Sequence, residues 1–337
     1  MIVIDGSKGE GGGQVLRTAL SLSGCTGQPF RIKNIRAGRK KPGLMRQHLT
    51  CVRAAEAVCG GRAVGAELGS TELTFTPDEP RGGTHTFDIG TAGATTLVFQ
   101  TVLPVLLAAE DASEVAFRGG THTMMAPTLD FIEESFLPVM RLTGASVVVE
   151  ARTLGFYPAG GGAWSASVEP LDSPVPLDLA RRGAPTRVTA QAMRANLAGD
   201  ICERELAACA DALDLGPDAL SHTSHDGPGP GNAVIVRAEH EHHTAVFSDI
   251  GRKGVKAETV GRRAAGQARS YLGEAGVACE HLADQLLLPI ALAGAGRFTA
   301  TALTEHFRTN VATIGMFLDV ETRTEETEDG WLVTAER

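Results

Sequence analysis

The sequence has six cysteines and no pair of them separated by two residues. The usual spacing of a zinc site or a redox dithiol is therefore missing, and we expect reduced core cysteines in a cytoplasmic protein without zinc. Long apolar runs are missing too, since none reaches the roughly 18 residues that a membrane span needs. No basic segment followed by an apolar one opens the chain, so we expect neither an export signal nor a membrane association.

Acidic side chains are absent from residues 11–55, a segment that carries nine lysines and arginines. The rest of the chain has 22 basic and 40 acidic side chains, and such a protein repels nucleic acid backbone except where basic groups cluster. The segment therefore predicts a local site for a few phosphates. A solvated basic face is the alternative, and it suits Arg31 and Lys33 better than Arg36 and Arg39, which flank a glycine turn.

The common glycine motifs for phosphate are also missing. The stretch DGSKGEGGGQVLRTALSLS, from Asp5, has the order strand, glycine loop and helix, but Gln14 stands where a dinucleotide motif needs glycine. Glu10 lies inside the loop, and a carboxylate beside a phosphate site is typical of a divalent-cation ligand. A tight, solvated turn is the alternative that this stretch alone favours.

What the chain does contain is a repeated pattern. IRAGRKKPGLMRQHLTCVRAAEAVCGG and FRGGTHTMMAPTLDFIEESFLPVMRLTG both begin with an apolar residue, an arginine and a glycine turn, and each then leads into a helix. A third copy has the strand RFTATAL and the helix RTNVATIGMFLD. The pattern predicts an α/β (α+β) protein of three repeated α–β–α–β–β units, with helices packed on one face of each sheet.

About 95 residues of different character separate the second and third copies. We predict that residues 179–275 form a smaller inserted α/β domain, and that residues 1–178 and 276–337 form the large catalytic domain. The insertion contains the cluster EHEHHT, with His240, His242 and His243. Their adjacent positions on a strand favour a solvated cluster over a metal site.

Five segments of the chain resemble the RNA 3'-terminal phosphate cyclases. They are DGSKGEGGGQVLR, IRAGRKKPGLMRQHLT, GFYPAGGG, HLADQLLLP and TEHFRTN. The resemblance extends from end to end and includes the insertion. It implies three repeats similar to the C-terminal domain of a translation initiation factor, with a smaller domain inserted before the last repeat.

The resemblance also implies a reaction. Members of this family use ATP and a divalent cation, magnesium or manganese, to convert an RNA 3'-phosphate into a 2',3'-cyclic phosphate, with release of AMP and pyrophosphate. The reaction passes through a nucleotidyl-histidine and an RNA adenylate, which makes the enzyme a nucleotidyl-transferring ligase. The resemblance places the histidine at His306, and a neutral imidazole nitrogen is nucleophilic near neutral pH.

The same resemblance assigns the remaining site residues. Glu10 would bind the divalent ion. The residues implied for the phosphates and the RNA end are Arg17, Arg36, Arg39, Gln47 and His48. Those implied for the nucleotide are Gln100, Pro127, His281, Leu282, Ala283, Asp284 and Gln285.

Two of these positions carry open alternatives. Asp284 either helps to hold metal, orients His306 or is a helix-start carboxylate. Position 281 is often tyrosine in the family, where the ring stacks on adenine opposite the proline that matches Pro127, and here it is His281.

Two other functions share parts of this pattern. A noncatalytic branch of the family acts in ribosomal RNA processing and lacks the nucleophilic histidine, so His306, Glu10 and the arginines argue against it. The enolpyruvyl transferases share the repeated architecture but need no adenylylated histidine.

Overall fold

The first unit is built from short apolar strands and from amphipathic helices that each end at a glycine. In the computed structural model, which describes residues 1–337, Gly27 and Gly60 close its two helices in the left-handed conformation that glycine adopts without steric cost. Its elements are β1 (Ile2–Asp5), α1 (Gln14–Thr26), β2 (Phe30–Lys33), α2 (Arg46–Cys59), β3 (Arg62–Val64) and β4 (Leu73–Thr76).

The second unit repeats this plan with an interrupted second helix. Three short helical segments, one of them a π-helical turn, replace the single helix α2. The elements are β5 (Gly83–Asp88), α3 (Thr95–Leu107), β6 (Ser113–Gly119), α4 (Leu129–Phe131), the π-helical turn (Ile132–Phe136), α5 (Leu137–Leu142), β7 (Val147–Thr153) and β8 (Gly162–Val168).

The third unit is split, because its first strand precedes the insertion and the rest follows it. Its elements are β9 (Leu177–Leu179), α8 (Glu280–Ala293), β14 (Ala295–Ala300), α9 (Glu305–Ile314), β15 (Glu321–Thr327) and β16 (Gly330–Glu336). Between β9 and α8 the chain forms a separate four-stranded sheet with two long helices. These elements are β10 (Pro185–Ala195), α6 (Ile201–Leu213), a 3-10 turn (Pro217–Ala219), β11 (Leu220–His225), β12 (Gly231–His240), β13 (Thr244–Ile250) and α7 (Ala257–Gly273).

The three repeated sheets share one topology. Their orders are β1-β2-β4-β3, β5-β6-β8-β7 and β9-β14-β16-β15, and in each the first two strands are parallel while the other pairs are antiparallel. The predicted mixed α and β class with repeated units is confirmed. Each unit also has a parallel edge strand at its start, so the repeat reads β–α–β–α–β–β. The strand β9 is only three residues long and β5 is mostly polar and exposed, which explains why the sequence pattern did not include them.

Helix α1 is central to the arrangement of the units. It contacts α3 of the second unit and α9 of the third. Its apolar residues, including Leu16, Leu20 and Leu22, are fully buried. Burial of these side chains contributes roughly 1.5–3 kcal/mol each relative to exposure. None of the helices is sufficiently long and apolar to cross a bilayer.

The histidine cluster of the insertion differs from the sequence prediction. His240 and His243 are buried, and only His242 is exposed. The His240 ring packs edge-on against Tyr271 at 5.9 Å between centroids, and the Nε2 atom of His243 lies 3.5 Å from the Ser135 hydroxyl of the second unit. The prediction of a solvated cluster is wrong for these two, because the turn after β12 folds back towards α7 and the π-helical turn.

An aromatic cluster secures the second unit. Trp164 of β8 stacks on Phe117 at 4.3 Å and meets Phe99 edge-on at 5.3 Å. Its indole N–H donates to the Thr95 hydroxyl at 2.8 Å, and that hydroxyl donates to the Gly120 carbonyl at 2.7 Å. The cluster therefore fixes the start of α3, which borders the candidate site.

We expect Trp164→Ala to lower the free energy of unfolding by about 3–5 kcal/mol, the usual cost of truncating a buried aromatic residue. Urea unfolding followed by circular dichroism measures this loss. The control is Trp331→Ala, the only other tryptophan, which lies half-buried on β16 and should cost less. Equal losses in the two variants would contradict the central role of the cluster.

Candidate active site

His306 lies in the first turn of α9. The sequence pattern placed the start of this helix at residue 308, but the structure begins it at Glu305. The reason is the N-cap Thr304, whose hydroxyl accepts a hydrogen bond from the Phe307 amide at 3.2 Å. His306 is therefore held at a helix N-terminus, where the free amides and the helix dipole favour nearby negative charge.

A chain of hydrogen bonds orients the His306 ring. The Nδ1 atom of His306 lies 2.7 Å from Oε1 of Gln14, at the start of α1. The Gln14 amide nitrogen donates to Oδ2 of Asp284 on α8 at 3.2 Å. Gln14 is buried, so its amide has little freedom to turn. Asp284 thus reaches the histidine through Gln14.

This series of hydrogen bonds determines which nitrogen of His306 carries the proton. Because the Gln14 nitrogen donates to Asp284, its oxygen faces His306, and an amide oxygen only accepts hydrogen bonds. Nδ1 is consequently the donor, and Glu10 Oε1 at 3.5 Å is a second acceptor beside it. The neutral ring then has a free lone pair on Nε2. The side chain is 49% exposed, which leaves that nitrogen accessible.

Glu10 is held tightly in the glycine loop. Its amide donates to the Thr309 hydroxyl at 3.1 Å, and its Oε1 atom accepts from the Arg39 guanidinium at 2.8 Å. The carboxylate is only 9% exposed, and its Oε2 atom is buried without a hydrogen-bond partner. An orphaned carboxylate oxygen costs free energy unless a cation or donor satisfies it. It therefore suits a divalent cation.

Two of the three glycines that follow Glu10 are required for steric reasons. A Cβ atom at Gly12 would clash with the Glu10 carboxylate, and one at Gly13 would clash with the His48 ring and the Arg17 guanidinium. Larger residues would displace the side chains that line the site. The glycine loop thus lines the cavity and is not the solvated turn that its sequence alone favours.

Arg17 and His48 face the same glycine from different helices. The Arg17 guanidinium forms no ion pair, and burial lowers its pKa. A guanidinium nevertheless stays protonated in proteins. Burial, with the charges of Arg17 and Arg36, lowers the pKa of His48 to about 3, so that its ring is neutral at physiological pH. Nδ1 of His48 accepts from the Met45 amide at 3.3 Å, which leaves Nε2–H as a donor. Both groups are suited to binding anionic oxygens.

The other residues of the basic segment have more local partners. Arg36 adopts a left-handed backbone conformation and donates to the carbonyls of Lys41 and Gly43 at 2.7 and 2.9 Å, so it braces its own turn. Arg39 pairs with Glu10. Gln47 accepts a hydrogen bond from the Ala94 amide at 2.8 Å and so ties α2 to the start of α3.

The residues implied for a nucleotide lie on α3 and α8, except Pro127, which lies just before α4. Gln100 donates to the Gln285 side chain, and Gln285 donates in turn to the His281 carbonyl at 2.7 Å. The Pro127 carbonyl accepts from Thr96 at 2.8 Å. His281 is exposed at the start of α8.

Two predicted nucleotide-binding residues are not at the cavity. The side chains of Leu282 and Ala283 are completely buried in the core beneath α8. Adjacent helical positions point in different directions, so only one face of the segment 281–285 reaches the cavity.

One cavity of about 1250 Å3 joins these groups. It is lined by His306, Glu10, Gln14 and Asp284, by the arginines and His48, and by the proposed nucleotide residues other than Leu282 and Ala283. Burial raises the pKa of Asp284 to about 7, opposed by the Gln14 hydrogen bond and by Arg17. An accessible imidazole, a carboxylate with a free oxygen and uncompensated cationic groups are suited to phosphoryl or nucleotidyl transfer.

Comparison with known proteins identifies the family. The family model for RNA 3'-terminal phosphate cyclase matches residues 8–324. The chain belongs to the RNA 3'-terminal phosphate cyclase family. A relative from Koribacter versatilis with that name is 48% identical over 330 residues, 98% of this chain and 93% of the relative. Similar relatives are those of Salmonella typhimurium, 47% identical over 99% of this chain and 98% of its own, and Ralstonia nicotianae, 47% identical over 98% and 96%.

Sequence reasoning missed three residues of this cyclase-family site. Gln14 orients His306, Thr309 holds the Glu10 amide, and Asn310 bonds both the Thr18 hydroxyl at 2.6 Å and the Asp284 carbonyl at 2.8 Å. The available signal was position 14 itself, where a polar residue interrupts an otherwise apolar helix start.

We expect Gln14→Ala to shift His306 from the Nδ1–H tautomer towards the Nε2–H tautomer, because the strongest acceptor for Nδ1–H is removed. Nitrogen-15 NMR of histidine-labelled protein distinguishes the two forms. Gln28→Ala is the control, since the Gln28 amide donates to the Phe317 carbonyl away from the cavity. An unchanged His306 tautomer in Gln14→Ala would show that Gln14 does not orient the ring.

Proposed function

We propose that this protein converts the 3'-terminal phosphate of RNA to a 2',3'-cyclic phosphate in an ATP-dependent reaction that passes through a histidine–AMP intermediate. The observation that carries the proposal is the His306 ring, whose Nδ1 faces Gln14 and whose Nε2 is left free at a cavity with basic walls. The names of the relatives support the cyclisation of an RNA end.

In the first step, Nε2 of His306 attacks the α-phosphorus of ATP. An N–P bond forms, the bond to the β-phosphate oxygen breaks, and pyrophosphate leaves. The ring gains positive character as the bond forms, and Gln14 and Glu10 stabilise the proton that stays on Nδ1. A phosphoramidate of this kind remains reactive enough to pass AMP to a second acceptor.

In the second step, an oxygen of the RNA 3'-phosphate attacks the same phosphorus and displaces His306. The RNA then carries an AMP leaving group. In the third step, the neighbouring 2'-hydroxyl releases its proton to solvent and attacks the terminal RNA phosphorus. The ring closes, the bond to the AMP oxygen breaks, and AMP departs. Arg17 and the neutral His48 are placed to bind the anionic oxygens, since both present donors beside Gly13.

Glu10 is our candidate for the ligand of a divalent cation. The orphaned Oε2 atom is a hard oxygen donor of the type that magnesium and manganese prefer. No group of three or more His, Cys, Asp and Glu side chains forms a cation site, so a cation at Glu10 would draw its other ligands from phosphate oxygens and water. When bound, it would neutralise charge on the reacting phosphates.

The nucleotide would occupy the side of the cavity formed by α3 and α8. Gln100 and Gln285 offer amides, and Pro127 and His281 offer flat surfaces for a base. An imidazole has a smaller stacking area than a phenol ring. His281 therefore contributes to base binding less than a tyrosine at the same position would.

We expect His306→Ala to abolish both covalent labelling by radioactive ATP and cyclisation of a 3'-phosphorylated oligonucleotide. Loss of a covalent nucleophile costs several orders of magnitude in rate. His281→Ala is the matched control: it should still be labelled but require more ATP. Mass mapping identifies the modified peptide. An adduct on His281 or on a lysine would overturn this mechanism, and a chain that is never labelled would favour a noncatalytic or enolpyruvyl-transferring protein.

We expect Glu10→Gln to raise at least tenfold the manganese concentration that gives half-maximal labelling, because a neutral amide is a poor cation ligand. Electron paramagnetic resonance should show correspondingly weaker manganese binding. Unfolding stability should change little, since the variant also removes a buried, half-satisfied carboxylate. Glu72→Gln, which breaks the exposed Arg31–Glu72 pair, is the control. Wild-type metal binding by Glu10→Gln would refute the assignment.

A further inference from the structure

The segment GFYPAGGG, residues 155–162, has no role in the site described so far. It connects β7 to β8 and is named here the tyrosine loop. Two neighbouring aromatic residues in it have opposite environments: Phe156 is 2% exposed, whereas Tyr157 is 71% exposed. A tyrosine ring that is so exposed to solvent contributes little to packing, so packing does not explain its position.

The tyrosine loop is held rigidly from several sides. The Phe156 ring lies 5.4 Å from that of His122, and the Gly160 amide donates to the Phe156 carbonyl at 2.7 Å. A Cβ atom at Gly160 would clash with the backbone of Thr91 and Ala92, and one at Gly161 would clash with Pro228 of the insertion. The exposed ring therefore projects from a fixed support and not from a loose turn.

Three other exposed side chains line the same cavity as Tyr157, and Phe156 pairs with His122, two residues before Met124. Met124 and Met125 are exposed, Met125 at 90%. Arg252, which forms no ion pair, donates towards the Met124 sulfur at 3.1 Å. All four residues line the cavity that contains His306. An aromatic face and a guanidinium plane are surfaces on which nucleobases stack, and methionine sulfurs pack favourably against aromatic rings.

The tyrosine loop also contacts segments that lead to the residues proposed to bind phosphate. Gly160 packs against Ala92, and the Ala94 amide two residues later donates to Gln47. His48 follows Gln47 in α2, and it presents its Nε2–H beside Gly13 and Arg17. The tyrosine loop is thus linked, through residues 92–94 and α2, to the groups proposed to hold the terminal phosphate.

We propose that Tyr157, together with Met124, Met125 and Arg252, forms a subsite that stacks a nucleobase at the 3' end of single-stranded RNA. This inference rests on the proposed function for the identity of the ligand. The subsite grips a base face without reading its edge. It therefore accepts all four bases and positions the terminal phosphate by holding the nucleotide behind it.

The test measures the dissociation constant of a fluorescent, 3'-phosphorylated oligonucleotide by anisotropy, without ATP. We expect Tyr157→Ala to raise this constant about 5- to 150-fold, the equivalent of losing 1–3 kcal/mol of base stacking, and Tyr157→Phe to stay near wild type because it keeps the ring. Leu68→Ala, an exposed apolar residue between β3 and β4, is the control and should bind normally. Labelling by ATP should persist in all four proteins.

Oligonucleotides with one abasic position locate the base. Removal of the stacked base should weaken binding to the wild type but not weaken it further in Tyr157→Ala. Unchanged affinity of Tyr157→Ala, equal loss in Tyr157→Phe, or additive losses with every abasic oligonucleotide would each overturn the subsite. Failure of wild-type labelling would instead count against the adenylylation mechanism, because the binding assay does not depend on it.

Discussion

The hydrogen bond between His306 and Gln14 connects helices that lie 292 residues apart in the chain, and the geometry of the site depends on it. Two neighbouring contacts support it, since Thr309 holds the Glu10 amide and Asn310 bonds Thr18. The first turn of α9 and the glycine loop are therefore one structural unit. Neither the first nor the third repeat alone could present an imidazole with a defined free nitrogen.

This dependence explains why the glycine loop departs from the common phosphate-binding motifs. Those motifs place glycine where the backbone itself approaches a phosphate. Here position 14 needs an amide that donates on one side and accepts on the other, and Gly12 and Gly13 are needed because Glu10, His48 and Arg17 occupy the adjacent space. The loop therefore positions side chains as well as presenting backbone amides.

The repeated units were predictable because their apolar periodicity is local, and most site residues were predictable because they lie in segments that resemble a known family. What the sequence did not provide is the set of contacts between distant segments. The sequence leaves Asp284 with three alternative roles, and its hydrogen bond to Gln14 is evident only from the structure. Similarly, His240 and His243 have polar neighbours in sequence but are buried by packing against other elements. The start of α9 was misplaced because the cap Thr304 precedes the periodic residues.

The site also contains groups that reduce the stability of the fold. Glu10 keeps an oxygen without a partner, Arg17 carries a half-buried charge with no ion pair, and burial raises the pKa of Asp284. Each is costly in a protein interior. The apolar packing face of α8 and the mainly apolar one of α3 help to offset that cost. Anionic ligands and a cation would satisfy the same groups. These uncompensated polar and charged groups are therefore the physical reason to expect that the cavity binds charged phosphates in preference to neutral ligands.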